Sequence, residues 1–216
     1  MPLIVVSHPV LAHALGILRD RDTPPAAFRD AARQIALGVL FEATRSLPTQ
    51  PATVMTPLME APVERLSGRL GIVPILRAGM GFMDPIFALL PHAEIWHLGI
   101  FRNEQTLQPV TYYNKLHRAS PPETVIVVDP MLATGGSASA TLDVIRRWHG
   151  SNDERAVNII FVCFIAAPEG IARLAQDHPK VPIFTAAVDE RLNEVGYILP
   201  GLGDAGDRLF NTVSQG

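Results

Sequence analysis

The segment Thr124-Val-Ile-Val-Val-Asp-Pro-Met-Leu-Ala-Thr-Gly-Gly-Ser137 ends an apolar run on an acid, Asp129, and continues through small and hydroxylated residues. A strand that stops on a carboxylate, followed by a loop that opens a helix at about Ser137, makes an anion cradle. The paired glycines Gly135 and Gly136 let backbone N–H groups turn inward. Thr134 and Ser137 add hydroxyl donors, and the helix start adds the positive end of its dipole. No Gly-Lys-Ser/Thr occurs in the chain, so a phosphate held there is gripped rather than transferred. Asp129 is placed to accept hydrogen bonds from neutral hydroxyls such as those of a sugar. A strand, acid, loop and helix of purely structural use is the competing reading; the coincidence of acid, glycines and hydroxyls weighs against it.

Two arginines follow other apolar runs. Arg77 comes after Val73-Pro-Ile-Leu76 and before Ala78-Gly79, where backbone can approach a ligand closely. Arg102 follows Ile100-Phe101 and opens the polar stretch RNEQTLQP, long enough for a mobile flap. A guanidinium fork matches the oxygens of a diphosphate. A single arginine at a strand end is ordinarily a solvated charge, but two at consecutive strand ends beside an anion cradle suggest a ligand. The C-terminal GYILPGLGDAGD fits the G-x-G-x-x-G pattern at Gly201, Gly203 and Gly206. A dinucleotide fold also needs a preceding strand, a following helix and an acid about 20 residues on, and too little chain follows Gly206. This segment reads better as a hood whose main-chain groups face a flat ligand. His8 and His13 read as packing or surface residues, and Cys163, inside NIIFVCFIAA, as inert core. Gly135-Gly-Ser137-Ala-Ser139 misses the G-x-S-x-G elbow, and no metal-ligand cluster stands out.

The elements that must hold these residues are readable from periodicity. Short apolar runs at 71–76, 94–100, 124–128, 157–165 and 181–185 alternate with segments at 81–90, 137–148 and 168–177 that suit helices. Near-continuous Val/Ile runs separated by helices predict strands buried on both faces, hence a mainly parallel sheet in an α/β fold. Ligands in such sheets sit at the carboxyl ends of the strands. A short strand is expected at 3–6. A helix is expected from Thr23-Pro24-Pro25, with Thr23 as cap, to about Ser46, because Phe28, Ala31, Ile35, Val39 and Ala43 recur at helical spacing. Residues 51–70 suit a hairpin or loop arm. One domain over 1–216 is expected: N-terminal helices and arm at 1–70, an α/β core at 71–190, and the hood at 191–216.

Composition narrows the class. The chain has 216 residues, 48% hydrophobic and 18% charged, with a net charge of -3 and one cysteine. A chain of this size buries enough surface to need neither disulfides nor a structural metal. One cysteine without zinc spacing favours a reducing compartment, and a cytoplasmic location is expected. The longest apolar run, 159–167, is far short of the roughly 20 residues that span a bilayer. MPLIVVSHPV lacks a basic leader and a small-residue cleavage site, so no secretory signal is expected. Mild acidity argues against a nucleic-acid-coating protein. Among the basic residues 16 are Arg and only Lys115 and Lys180 are Lys, a bias that genome composition explains as well as phosphate binding does.

VIVVDPMLATGGS resembles the phosphoribosyl-pyrophosphate loop of the type I phosphoribosyltransferases. Most members of that family carry two adjacent acids there; Asp129-Pro130 is the pattern of the uracil phosphoribosyltransferase branch. The resemblance extends to HPV with His13 at 8–13, FRD at 28–30, FEAT at 41–44 and VPILRAGMGFMD at 73–84. It continues through FRNEQTLQPVTYY at 101–113, AAPEGI at 166–171 and LNEVGYILPGLGDAGDRLF at 192–210. It implies the family fold, with a flap hairpin and a C-terminal hood. It implies transfer of the phosphoribosyl group from 5-phospho-α-D-ribose 1-diphosphate to uracil, with Asp129, Arg77 and Arg102 as the catalytic set. The donor would lie on Arg77, Arg102, Asp129, Pro130, Met131, Leu132, Ala133, Thr134, Gly135, Gly136, Ser137 and Ala205. Uracil would lie on Leu199, Asp204, Ala205 and Gly206.

The same resemblance implies Mg²⁺ carried mainly by the donor's diphosphate, a possible GTP activator, and a homo-oligomer, dimer or tetramer. No general base stands out, and nothing in its spacing establishes a role for Lys115. Three rivals remain at this level. One is a non-catalytic, uridine-nucleotide-responsive RNA-binding regulator on the same fold, for which there is no basic stripe. Another is transfer to a different base, and the third is a nicotinamide dehydrogenase.

Overall fold

A computed structural model of the chain describes residues 1–102, 109–116, 120–150 and 157–212. The predicted alternation of apolar runs and helices is what forms. In chain order the elements are β1 (Leu3–Val5), α1 (Pro9–Arg19), α2 (Pro25–Ala43), β2 (Thr49–Met55), β3 (Glu60–Leu66), β4 (Leu70–Leu76), a 3₁₀ turn (Ala78–Phe82) and α3 (Met83–Leu89). There follow β5 (Glu94–Ile95), β6 (Leu98–Arg102), β7 (Pro109–Asn114), β8 (Thr124–Val128), β9 (Met131–Leu132) and α4 (Gly136–Trp148). The chain continues through β10 (Asn158–Ala166), α5 (Pro168–Asp177), β11 (Ile183–Val188), β12 (Arg191–Leu192), β13 (Ile198–Leu199) and α6 (Ala205–Phe210).

The main sheet runs β1-β11-β10-β8-β4-β6-β7, with β5 paired to β4 and β9 to β10. Its pairs are parallel except β6 with β7, the antiparallel hairpin at one edge. Central β8 shows why Val/Ile runs specify it. Ile126 and Val128 enter the core on the side of α2 and α3, whereas Val125 and Val127 enter the core beneath α4 and α5. Burying each such side chain stabilises the fold by about 1.5–3 kcal/mol over leaving it exposed. On the first side Phe28, Ala31, Ile35, Val39 and Ala43 form the buried stripe of α2, and Phe82 stacks on Phe164 at 4.5 Å between centroids.

Four details depart from expectation. Thr23 does not cap α2: its hydroxyl donates back to the Ile17 carbonyl at 2.7 Å, tying the turn between α1 and α2, and the helix starts at Pro25. α2 stops at Ala43, where Thr44 forms its C-cap. The 94–100 run splits into β5 and β6. The loop after Asp129 is interrupted by β9, which pairs Met131 with Ile165 and Leu132 with Ala166. The arm expected at 51–70 is the antiparallel β2–β3 hairpin, which pairs Thr49 with Leu66 through Met55 with Glu60, while Leu70 already begins β4. No helix among the described residues is long and apolar enough to cross a membrane.

Candidate active site

β4 and β8 are adjacent and parallel, so the loops carrying Arg77 and Asp129 leave the sheet side by side. The two loops meet closely: a Cβ added to Gly79 would sit 2.6 Å from the Val128 carbonyl oxygen. The space that Gly79 frees is therefore filled by β8. Gly79 serves the packing between the two loops, and the neighbouring Ala78 lines the cleft.

Asp129 lies half-buried where β8 ends. Burial pushes its carboxyl up from the ordinary 3.8 to about 7, partly offset by a hydrogen bond from the Met131 N–H. Its neighbours in the loop divide between anchoring and presenting. The Pro130 carbonyl accepts N–H groups of Phe164 and Ile165 at 2.9 and 3.2 Å, and the Leu132 carbonyl accepts Ala167 N–H at 2.9 Å. Pro130 and Leu132 thus tie the loop to β10, while Met131 and Ala133 line a cleft above it. Gly135 adopts the left-handed conformation, φ 74°, as the N-cap of α4, and a Cβ there would stand 3.0 Å from the Gly170 carbonyl. Only glycine meets both demands without strain. The Thr134 hydroxyl oxygen accepts the Gly136 N–H at 3.4 Å. Beyond it the Ser137 and Ala138 N–H groups precede the helix's own ladder, which opens with the Ser139 N–H on the Gly135 carbonyl at 2.8 Å, as an anion site requires.

The tail reaches this loop from the far end of the chain. β12 and β13 form a small antiparallel ladder, with Arg191 opposite Leu199, and the chain then turns through Gly201 and Gly203 into α6. Asp204 caps α6, its carboxylate accepting the Asp207 N–H at 2.9 Å. A cleft of about 230 Å³ is lined by Ala78 from the β4 loop, by Asp129, Met131 and Ala133, and by Gly196–Ile198 and Gly203–Gly206 of the tail. Asp129, Met131, Ala133, Asp204, Ala205 and Gly206, expected from opposite ends of the sequence, are therefore brought together. Leu199 is not among the cleft-lining residues; its carbonyl accepts the Glu190 N–H at 2.9 Å. Tyr197 and Ile198 line the wall in its place. The aromatic residue in GYILPG was the available signal for Tyr197, since a ring can stack on a flat ligand.

Arg77 is exposed at the β4 end, and its Nη2 lies 3.3 Å from Asp207 Oδ1 on α6. Asp207 Oδ1 also accepts the Thr212 hydroxyl at 2.7 Å. Arg102 closes β6, but its side chain and the expected flap at 103–108 lie outside the described residues. Lys115 is exposed just after β7. Cys163 is fully buried, which pushes its thiol up to about 12, so it is no nucleophile. No cluster of three or more His, Cys, Asp or Glu side chains suited to a metal occurs among the described residues.

The family model for uracil phosphoribosyltransferase matches residues 5–212. A protein from Roseiflexus sp. (strain RS-1) named uracil phosphoribosyltransferase is 50% identical over 210 residues, covering 97% of this chain and 98% of the relative. The structure of the AQ2163 protein from Aquifex aeolicus superposes with a TM-score of 0.87 at 34% identity, covering 98% of this chain and 99% of that one. The APRTase from Giardia lamblia complexed with 9-deazaadenine superposes with a TM-score of 0.51 at 17% identity, over 81% of this chain and 84% of that one. This last likeness is one of fold alone.

Proposed function

The chain belongs to the uracil phosphoribosyltransferase family, and from that membership we propose that its cleft joins uracil to the phosphoribosyl group of 5-phospho-α-D-ribose 1-diphosphate, releasing UMP and diphosphate. The observation that carries this reading is the shared cleft: Asp129 of the donor loop and Asp204 to Gly206 of the tail line one space. A reaction between a sugar phosphate and a planar base needs that juxtaposition. Two sites facing different ways could not perform it.

The chemistry asks little of a covalent nucleophile. The bond from the anomeric carbon to the diphosphate oxygen breaks, N1 of uracil bonds to that carbon, and the N1 proton passes to solvent. Charge develops toward an oxocarbenium ion, so the protein's work is positioning and charge stabilisation. Asp129 accepts the ribose hydroxyls, and the loop from Pro130 to Ser137 with the α4 N-terminus holds the 5′-phosphate. Arg77 and Arg102 take the diphosphate, which draws Arg77 from Asp207. The tail from Asp204 to Gly206 reads the base edge. Cytosine, whose amine reverses one hydrogen-bond position, would leave buried groups unpaired there.

Mg²⁺, when bound, neutralises leaving-group charge. In this reading the ion would be carried in mainly on the diphosphate and ribose oxygens. A homo-oligomer also belongs to this reading, supported by the exposed Met55, Leu58, Met59 and Leu66 on the β2–β3 arm. A GTP activator rests on family resemblance alone, and a cytoplasmic location on the single buried cysteine and the composition. The test is product formation by purified protein with donor, Mg²⁺ and, separately, uracil, cytosine, hypoxanthine and orotate, with and without GTP. UMP from uracil alone is the expected result. Transfer to another base would overturn the assignment of the tail, and no transfer to any base would overturn the function.

A further inference from the structure

The tail is held in place by a buried ion pair outside the cleft. Asp189, one residue past β11, has a side chain only 3% exposed. Its carboxylate accepts Arg19 Nη1 at 2.8 Å and the Gly201 N–H at 2.9 Å, and Arg19 Nη2 bonds its other oxygen. Arg19 Nη1 also donates to the Gly201 carbonyl at 2.9 Å. Both peptide groups flanking Gly201 are thus fixed by one Arg–Asp pair. Gly201 has φ 64°, and a Cβ there would fall 2.1 Å from the Ile198 carbonyl oxygen. The turn therefore has almost no freedom to relax. Leu202 is held next: its carbonyl accepts Arg208 Nη1 at 2.8 Å. The following residue, Gly203, enters the cleft wall.

We propose that Arg19 and Asp189 are positioning residues for base recognition: by clamping the Gly201 peptides they set where Gly203 to Gly206 present their main-chain groups to uracil. This rests on the reading of the cleft given above. Neither side chain lines the cleft, so their effect passes through the backbone of the tail. A main-chain reader cannot tune itself by rotating a side chain. Its precision comes from whatever fixes the backbone, and a bidentate Arg–carboxylate pair fixes both distance and plane. The donor loop meets this pair only through β10, where the Ala166 carbonyl accepts the Asp189 N–H at 2.8 Å; neither the Arg19 nor the Asp189 side chain holds it among the described contacts, and its backbone is secured to β10. The two substrates should therefore respond differently to its loss.

Asp189→Asn and Arg19→Lys are compared with the wild type for KM of uracil, KM of the donor and the rate ratio of uracil to cytosine. Amide hydrogen exchange is followed over 199–206 and 130–137. The expected result is a rise of about tenfold in uracil KM for Asp189→Asn, with donor KM within about twofold and a lower uracil-to-cytosine ratio. Arg19→Lys, which keeps charge but loses the fork, falls between the two. Exchange should quicken at 199–206 and stay unchanged at 130–137. Equal rises in both KM values, or unchanged exchange at 199–206, would overturn the proposal. A wild type that fails to make UMP overturns the reading of the cleft instead, while the exchange data still decide whether the pair holds the tail. Should Asp189→Asn fail to fold, the milder Arg19→Lys carries the same comparison.

Discussion

The donor loop and the tail face one cleft but are secured in different ways. The donor loop grows out of β8, the centre of the sheet, and is stitched to β10 and Ala167 by backbone hydrogen bonds that the Pro130 and Leu132 carbonyls accept. The tail follows a two-residue ladder and is held by two arginines, Arg19 and Arg208, that reach its carbonyls. Sheet pairing is cooperative and insensitive to any one side chain. A turn held by side chains depends on each of them. In the function proposed above, the half assigned to the phosphate thus inherits the rigidity of the core, and the half assigned to the base is adjustable by single substitutions.

The largest expected effect falls on the donor side. Asp129→Asn should lower turnover by about 10²-fold or more, since the carboxylate that accepts the ribose hydroxyls and positions the sugar is lost. Circular dichroism should remain native because the strand beneath is intact. Wild-type turnover in the folded variant would remove Asp129 from the donor site.

Next comes a matched pair of glycine substitutions. Gly135→Ala and Gly201→Ala each place a side chain in the left-handed region; Gly135→Ala should cost about 1–3 kcal/mol in denaturant unfolding, and Gly201→Ala more, because its Cβ would fall 2.1 Å from the Ile198 carbonyl oxygen. The comparison sharpens in kinetics: Gly135→Ala should raise donor KM, and Gly201→Ala uracil KM. If both changes act on the same substrate, the division between the two regions is wrong.

A smaller shift is expected from Arg77→Ala, which should raise donor KM about tenfold while uracil KM moves little. Equal changes would take Arg77 out of the diphosphate site. A pH slope, read in stability rather than in kinetics, probes the Asp129 carboxyl. Asp129 sits at 3.8 in the unfolded chain and about 7 in the fold, so between those values the folded state holds a proton the unfolded chain has lost. Its contribution to stability is complete below the lower value and fades as pH rises through the upper one. Thermal midpoints across this window should fall with pH in the wild type more steeply than in Asp129→Asn.

The donor half was legible in the sequence because its signals are contiguous. Val125 to Val128 announce a strand buried on both faces, Asp129 marks its end, and Gly135 marks the helix start, all within one segment. Even there β9 was missed, since nothing in Met131-Leu132 says that Ile165 and Ala166 pair with it. The tail was legible only as a glycine-rich segment. Part of what fixes it is Arg19, 182 positions before Gly201, and an arginine paired with Asp189 across 170 positions looks like any surface charge. Thr23 was misread for a related reason: its hydroxyl had two plausible partners, and the carbonyl of Ile17 won.

The central claim is that both regions serve one ligand, and the binding of UMP tests it most directly. UMP carries the phosphate and ribose of one half and the base of the other. Calorimetric titration of UMP into the wild type, Asp129→Asn and Gly206→Ala should show weaker binding in both variants. The methyl of Gly206→Ala would stand 3.2 Å from Asp204 Oδ1 on the base side. Binding weakened by one substitution and untouched by the other would mean that the donor loop and the tail do not share a ligand.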